Sequence, residues 1–246
     1  MTYKCDFSGC GALGDSVIIA TKMLNIISTL PRKTQINYTH FESNVKKHKY
    51  EISLNDFWDI IKNKINNLNL LFNYNIKFYD PELPRGTVHR AMLKMSAGLT
   101  TTLDALCFNA IPFVVPIKNN KTIIICDGGM GSRCINDQEI DLIFKNFDKS
   151  NIILMGINKT KDYDVECDMR GKTTIQHALQ IIAGAKNVFS PEGMLVYYAY
   201  LQNIPNIMKF SKRSLIKDYW NLELRNNSIA TTTIDNININ KIKTFK

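Results

Sequence analysis

No run of apolar residues in this 246-residue chain approaches the roughly 18 that a membrane-spanning helix needs; the longest, such as IPFVVPI at 111–117, fall far short. The first ten residues, MTYKCDFSGC, hold no apolar leader core. Six cysteines occur without one C-x-x-C pair, so neither zinc nor a disulfide framework is expected. The four histidines and the acids form no H-x-x-x-H or carboxylate cluster with metal-ligand spacing, and no metal is expected. Low-complexity linkers and internal repeats are also missing. These absences exclude a membrane-spanning protein, a disulfide-stapled secreted domain and a repeat array, and imply a cytoplasmic chain with reduced thiols. At 45% hydrophobic content it can bury a sizeable core as one large or two smaller domains.

The net charge of +9 is unevenly placed. Residues 31–50 carry five Lys/Arg against Glu42, and residues 207–246 carry eight against three acids, so these two segments hold the whole excess. Clustered basic charge suits an anionic partner, and equally suits a solvated face and tail.

Strand-like and helix-like segments alternate. Strands are expected at YKCDFS (3–8), TQINYTHF (34–41), YNIKFYD (74–80), PFVVPI (112–117), KTIIICDGG (121–129), NIILMG (151–156), KNVFS (186–190) and PNIMKF (205–210). Helices are expected over 16–30, 53–71, 87–99, 136–147, 173–185 and 192–202. This βα order with apolar strands predicts an α/β fold of parallel sheets covered by helices: two doubly wound, Rossmann-like domains, 1–118 and 119–246.

The stretch FSGCGALGDSV places Gly9, Gly11 and Gly14 in G-x-G-x-x-G spacing. In a dinucleotide fold the pyrophosphate sits on the following helix N-terminus, and an acid about 20 residues on binds the ribose. Here Asp15 would put its own negative charge where the phosphate must go, and no acid follows the second strand until Glu42. Two other roles fit Asp15: an N-cap for a helix beginning at Ser16, or a general base at the C-terminal edge of a parallel sheet. One carboxylate can serve both.

In the second half, a Gly171-Lys172-Thr173 turn, a helix, a strand, a Ser190-Pro191-Glu192-Gly193 turn, a helix and a strand after Pro205 follow in order. This succession resembles the C-terminal domain of the bacterial heptosyltransferase family, glycosyltransferase family nine. GALGDSV resembles that family's N-terminal Gly-Asp motif, and IIICDGGMGSR its strand opening the donor domain, so the resemblance covers roughly the whole chain. It implies a GT-B-like fold with a cleft between the domains and an inverting, metal-independent transfer from a nucleotide sugar, with no further cofactor.

Carried over residue by residue, it makes Asp15 the catalytic base and Arg133, Ser190, Glu192, Gly193, Met194 and Tyr197 the donor site. Gly14, His89 and Arg90 become the acceptor side, and the charge map rather than the resemblance adds Lys46, Lys47 and Lys49, which follow the second strand and are expected at the same sheet edge as Asp15. Lys172 and Thr173 shape a turn and cap the next helix, and Asp162 and Asp164 are candidates for the ribose-binding acid. The chain departs from the family in its short N-terminal domain, in Met194, and in Tyr197 where the family has histidine. Donor nucleotide, sugar and oligomeric state stay open. The acceptor is an anionic glycan or hydroxymethylated DNA bases; a nicotinamide-dependent oxidoreductase and a non-catalytic sugar-nucleotide or nucleic-acid binder are the remaining readings.

Overall fold

The computed structural model describes residues 3–42, 49–78, 93–95, 100–101, 111–127, 134–159, 161–210 and 228–244, with backbone alone at 49–53, 78, 93–95, 100–101 and 244. The chain divides into two compact units, Met1–Val114 and Val115–Lys246. Residues 115–118, grouped with the first domain on sequence, fall in the second unit, where the Ile117 N–H donates to Gln180 O at 3.0 Å.

In the first unit, β1 (Lys4–Cys10), α1 (Leu13–Ile27), β2 (Gln35–Glu42), α2 (Lys49–Asn66) and β3 (Leu71–Phe78) make two successive parallel crossovers. β2 alternates strictly, burying Ile36, Tyr38, His40 and Glu42. α2 answers with Leu54, Phe57, Trp58, Ile61 and Ile65, spaced three and four apart along one face. Tyr38, Trp58 and Phe72 cluster there, with ring centroids 4.3 Å apart for the tilted pair Tyr38 and Trp58.

Two expectations fail in this unit. The helix read over 87–99 contains β4 (Leu93–Met95), which pairs antiparallel with β1, and β5 (Thr100–Thr101) follows antiparallel to β4. Good helix formers are overridden by pairing along the open edge of β1. The sheet order β3-β2-β1-β4-β5 is therefore only half of a doubly wound parallel sheet. The strand read at PFVVPI is irregular chain: Pro112 and Pro116 remove ladder donors, and Val115 is exposed.

The second unit carries β6 (Thr122–Ile125), α3 (Asp137–Asn146), β7 (Ile152–Met155), β8 (Cys167–Asp168), α4 (Ile175–Ala183), β9 (Asn187–Pro191), α5 (Met194–Leu201), β10 (Asn206–Phe210), β11 (Ser228–Thr231) and α6 (Asn236–Thr244). These strands pair in parallel, in the order β11-β10-β9-β6-β7-β8, with one isolated antiparallel bridge between Asp127 and Cys134. The chain winds from β6 toward β8, returns, and winds the other way from β9, which is the doubly wound arrangement with its reversal between β6 and β9. β6, β7, β9 and β10 are buried along their whole lengths, as strands covered on both faces must be. One core joins Ile124, Leu154, Phe189, Met208 and Phe210 to Ile140 and Ile143 of α3 and Ile239 and Ile242 of α6. Among the described residues no helix is long and apolar enough to cross a membrane.

Candidate functional site

In open α/β sheets, ligands collect outside the carboxyl ends of strands where the winding reverses. Each unit has one such place, and sequence-selected residues occupy both.

In the first unit the reversal flanks β1. Past Cys10 the chain turns at Gly11, whose φ of +144° favours glycine, and enters α1. A Cβ on Gly11 would lie 2.3 Å from the Cβ of Asp15, and one on Gly9 would lie 2.7 Å from the Tyr38 hydroxyl oxygen. The first two glycines of the G-x-G-x-x-G are thus required by packing within the protein itself. Gly11→Ala is expected to destabilise this unit by about 1–3 kcal/mol, through backbone strain and overpacking. Chemical denaturation is the check, and an unchanged midpoint would contradict the packing role.

The Gly11 N–H donates to Phe41 O at 3.0 Å, and the Ala12 N–H donates to Asp15 Oδ2 at 2.8 Å. Asp15 is partly exposed, in the first turn of a helix that begins at Leu13, with Gly14 beside it. The sequence reading of Asp15 as an N-cap before Ser16 is corrected: Ala12 is the cap residue. Having no side-chain oxygen, Ala12 receives only the return half of a capping box, supplied by Asp15. A carboxylate at this position also faces the positive end of the helix dipole.

Behind the turn sits His40, wholly buried and paired in strand register with Gly9. Its Nε2 lies 2.9 Å from Gly11 O and its Nδ1 2.7 Å from the Tyr38 hydroxyl. Burial lowers its pKa to about 4, against a smaller opposite pull from the Gly11 carbonyl, so the ring is neutral near pH 7.

In the second unit the reversal lies between β6 and β9. β9 ends at Pro191, and Glu192, Gly193 and Met194 form the turn into α5. The Glu192 N–H donates to Phe210 O at 2.9 Å, anchoring the turn to β10. Gly193 is the N-cap, with extended backbone and no side-chain acceptor for the first-turn amides of α5. Among the described residues, a Cβ built on Gly193 meets nothing within 4 Å. Tyr197 is buried, and its hydroxyl donates to Glu192 Oε1 at 3.0 Å. Ser190 is buried and its hydroxyl donates to Pro191 O at 2.8 Å, so it shapes the strand end.

Beside this turn, Asp127 follows β6 and accepts the N–H groups of Ile157 and Asn158, both at 2.9 Å, which fixes the loop after β7. Farther along, Arg170 is buried and bidentate to Asp168 at 2.9 and 2.8 Å, under the ring of Tyr163. The arginine beside it holds the Asp168 carboxyl below the usual range. Asp162 is ion-paired to Lys159, and Asp164 is exposed. Lys172 donates to Asp168 O at 2.8 Å and Thr174, rather than Thr173, caps α4 through the His177 N–H. Neither His40 nor Asp127 was singled out for a role from sequence. Asp127 carried a readable signal, an acid closing a buried strand; His40 carried none beyond its place in the alternation of β2.

Arg133, Lys46, Lys47, His89 and Arg90 lie outside the described residues, and Lys49 is described only as backbone at the start of α2. Among the described residues no group of three or more His, Cys, Asp or Glu is placed to hold a metal ion. Burial pushes the Cys126 thiol up to about 12, which makes it a poor nucleophile. A cavity of about 450 Å³ opens at the opposite, amino-terminal edge of the second sheet. Its amides bond to neighbours in its own lining, with Asn206 donating to Asn187 and Asn187 to Thr122.

No protein-family model and no curated protein matches the sequence. Similar solved structures include a family 9 glycosyl transferase from Veillonella parvula, 12% identical over 98% of this chain and 90% of that one, with a TM-score of 0.49. The Escherichia coli heptosyltransferase WaaC, solved with ADP-2-deoxy-2-fluoro heptose, is 10% identical over 97% of this chain and 98% of its own, with a TM-score of 0.49. The E. coli ADP-heptose lipopolysaccharide heptosyltransferase II is 10% identical over 94% and 90%, at 0.48. At identities of 10–12%, function has to be read from this chain's own residues.

Proposed function

We propose that the chain is an inverting, metal-independent glycosyltransferase of GT-B type, moving a sugar from a nucleotide-sugar donor to a hydroxyl of an anionic glycan. The observation that carries this reading is the placement of two sequence motifs. The Gly-Asp turn ends β1, and the Glu192-Gly193 turn opens α5 at the winding reversal of the second sheet. The first unit then holds the acceptor and the base, with Lys46, Lys47, Lys49, His89 and Arg90 as acceptor contacts. The second unit holds the donor.

The acceptor hydroxyl gives its proton to the Asp15 carboxylate while its oxygen attacks the anomeric carbon in line. The bond from that carbon to the diphosphate oxygen breaks with its electron pair, and the nucleoside diphosphate departs. Amides at the start of α5 meet the growing negative charge without rearrangement, with Arg133 as a further cation. Glu192, oriented by Tyr197, repels phosphate and so serves sugar hydroxyls instead. A nicotinamide dinucleotide fits poorly, because the glycines already have packing roles and Asp15 occupies the first turn of α1.

The direct test incubates the protein with a panel of nucleotide sugars, ADP-heptose included, alone and with lipopolysaccharide core glycans or duplex DNA, and follows products by mass spectrometry. Nucleoside diphosphate release that depends on the glycan is the expected result. Release from none of the donors, with nucleotide binding retained, would leave a binding protein, and transfer to DNA would overturn the glycan assignment. Gly193→Ala gives a sharper local result. The added methyl meets no atom of the described residues, so the melting temperature should stay put. Nucleoside diphosphate affinity should fall about 10-fold, because the methyl intrudes on a ligand seated at the helix end. Unchanged affinity by calorimetry would move the diphosphate elsewhere.

A further inference from the structure

We infer that His40 is a positioning residue that sets the orientation of Asp15 by pinning the Gly11 carbonyl from beneath. The inference rests on the reading of Asp15 as the base, and it concerns a residue that touches neither donor nor acceptor.

The hydrogen-bond chemistry allows one arrangement. A backbone carbonyl only accepts, so the contact between His40 Nε2 and Gly11 O at 2.9 Å places the imidazole proton on Nε2. Nδ1 is then a bare acceptor, and the Tyr38 hydroxyl 2.7 Å away donates to it. A directional chain runs from the Tyr38 O–H through the ring of His40 to Gly11 O. The peptide that His40 holds is the one joining Gly11 to Ala12, and the Ala12 N–H on its far side donates to Asp15 Oδ2 at 2.8 Å. Since that peptide unit is planar, fixing its carbonyl fixes the direction of its N–H, and with it the carboxylate that accepts. Neighbouring contacts tighten the arrangement. Gly11 N–H is held by Phe41 O, the absence of a Cβ on Gly9 leaves room for the Tyr38 hydroxyl, and the Trp58 ring packs 5.7 Å from that of His40. Protonation of His40 would turn Nδ1 from acceptor into donor, so the Tyr38 hydroxyl would lose the partner it donates to and the chain would reverse there, inside a closed aromatic cluster. The neutral ring is therefore part of the device.

The test is nuclear magnetic resonance on the full chain, needing no substrate. Nitrogen-15 spectra of the His40 ring should show Nε2 protonated and Nδ1 unprotonated between pH 8 and pH 5. In His40→Leu the Ala12 amide should exchange with solvent about 10-fold faster relative to the amides of Ile36 and Val17, the size expected when one hydrogen bond leaves a local opening equilibrium. His40→Gln, whose side-chain amide can donate to the same carbonyl, should restore most of the protection. If His40→Leu does not fold, Tyr38→Phe serves in its place: it removes only the hydroxyl, so Nε2 should stay protonated toward Gly11 O while the Ala12 amide loses part of its protection as the ring loses its second anchor. A ring protonated on Nδ1 in the native protein, or an Ala12 amide whose exchange follows Ile36 in the folded variants, overturns the inference. Failure of sugar transfer would count against the glycosyltransferase reading and leave these results standing.

Discussion

Asp15→Asn should lower glycosyl transfer by about 100-fold or more while leaving the fold and donor affinity intact, the usual size of a general-base contribution. The substitution is selective because the base role proposed for Asp15 and its hydrogen bond to the Ala12 N–H differ chemically. An amide oxygen can still accept from the Ala12 N–H, as Asp15 Oδ2 does at 2.8 Å, so the first turn of α1 keeps its cap. An amide cannot take up the acceptor proton. Turnover under donor saturation, with calorimetric donor affinity and a melting curve on the same sample, separates the roles. Near-normal turnover with a normal fold would return Asp15 to capping alone, and lost turnover with a large fall in melting temperature would make it structural first.

The second large effect is on stability against acid. A histidine that titrates near 6.5 when unfolded and near 4 in the folded unit binds its proton more readily in the unfolded chain. Its contribution is complete above pH 6.5, is lost as pH falls toward 4, and changes no further below that. A shift of this size corresponds to about 3 kcal/mol across the window. Denaturation of the first unit, followed by Trp58 fluorescence in a Trp220→Phe background, should therefore weaken between pH 6.5 and 4. In His40→Gln that part of the dependence should vanish. Comparing the two proteins cancels the carboxylates and other histidines that titrate nearby, and equal slopes would show that His40 is not buried in its neutral form.

Much of this architecture could be read before folding. The alternation of Ile36, Tyr38, His40 and Glu42, the three-and-four spacing from Leu54 to Ile65, and the unbroken apolar strands β6, β7, β9 and β10 are local patterns with one physical interpretation each. The segment around β4 was illegible for a physical reason. Ala91, Met92, Leu93, Lys94 and Met95 favour a helix in isolation, and only pairing with Phe7 and Gly9 makes 93–95 a strand. β8 is too short to show a period, and the asparagine-rich run that forms α6 hides its apolar positions Ile239 and Ile242. The candidate site divides the same way. Asp15 and Glu192 announce themselves by the glycines beside them. His40 does not, because its part depends on the strand register that sets it opposite Gly9, a long-range fact that no window of sequence contains.

The outer strands of the second sheet bear on how the molecule behaves in a crowd. β10 is apolar and fully buried through Ile207, Met208 and Phe210, and an uncovered strand of that kind would offer a ladder of backbone groups to any other chain. β11 takes that ladder along four residues, from Ile207 opposite Ser228 to Phe210 opposite Thr231, while α6 lays Ile239 and Ile242 onto the same core. At the far side the sheet stops at β8, only two residues long and tied into the Asp168–Arg170 pair. Among the described residues the outermost strands are β11 and β8, and the fully buried strands β6, β7, β9 and β10 lie inward. The C-terminal segment 228–244 accordingly shields the edge of β10 from pairing with another chain.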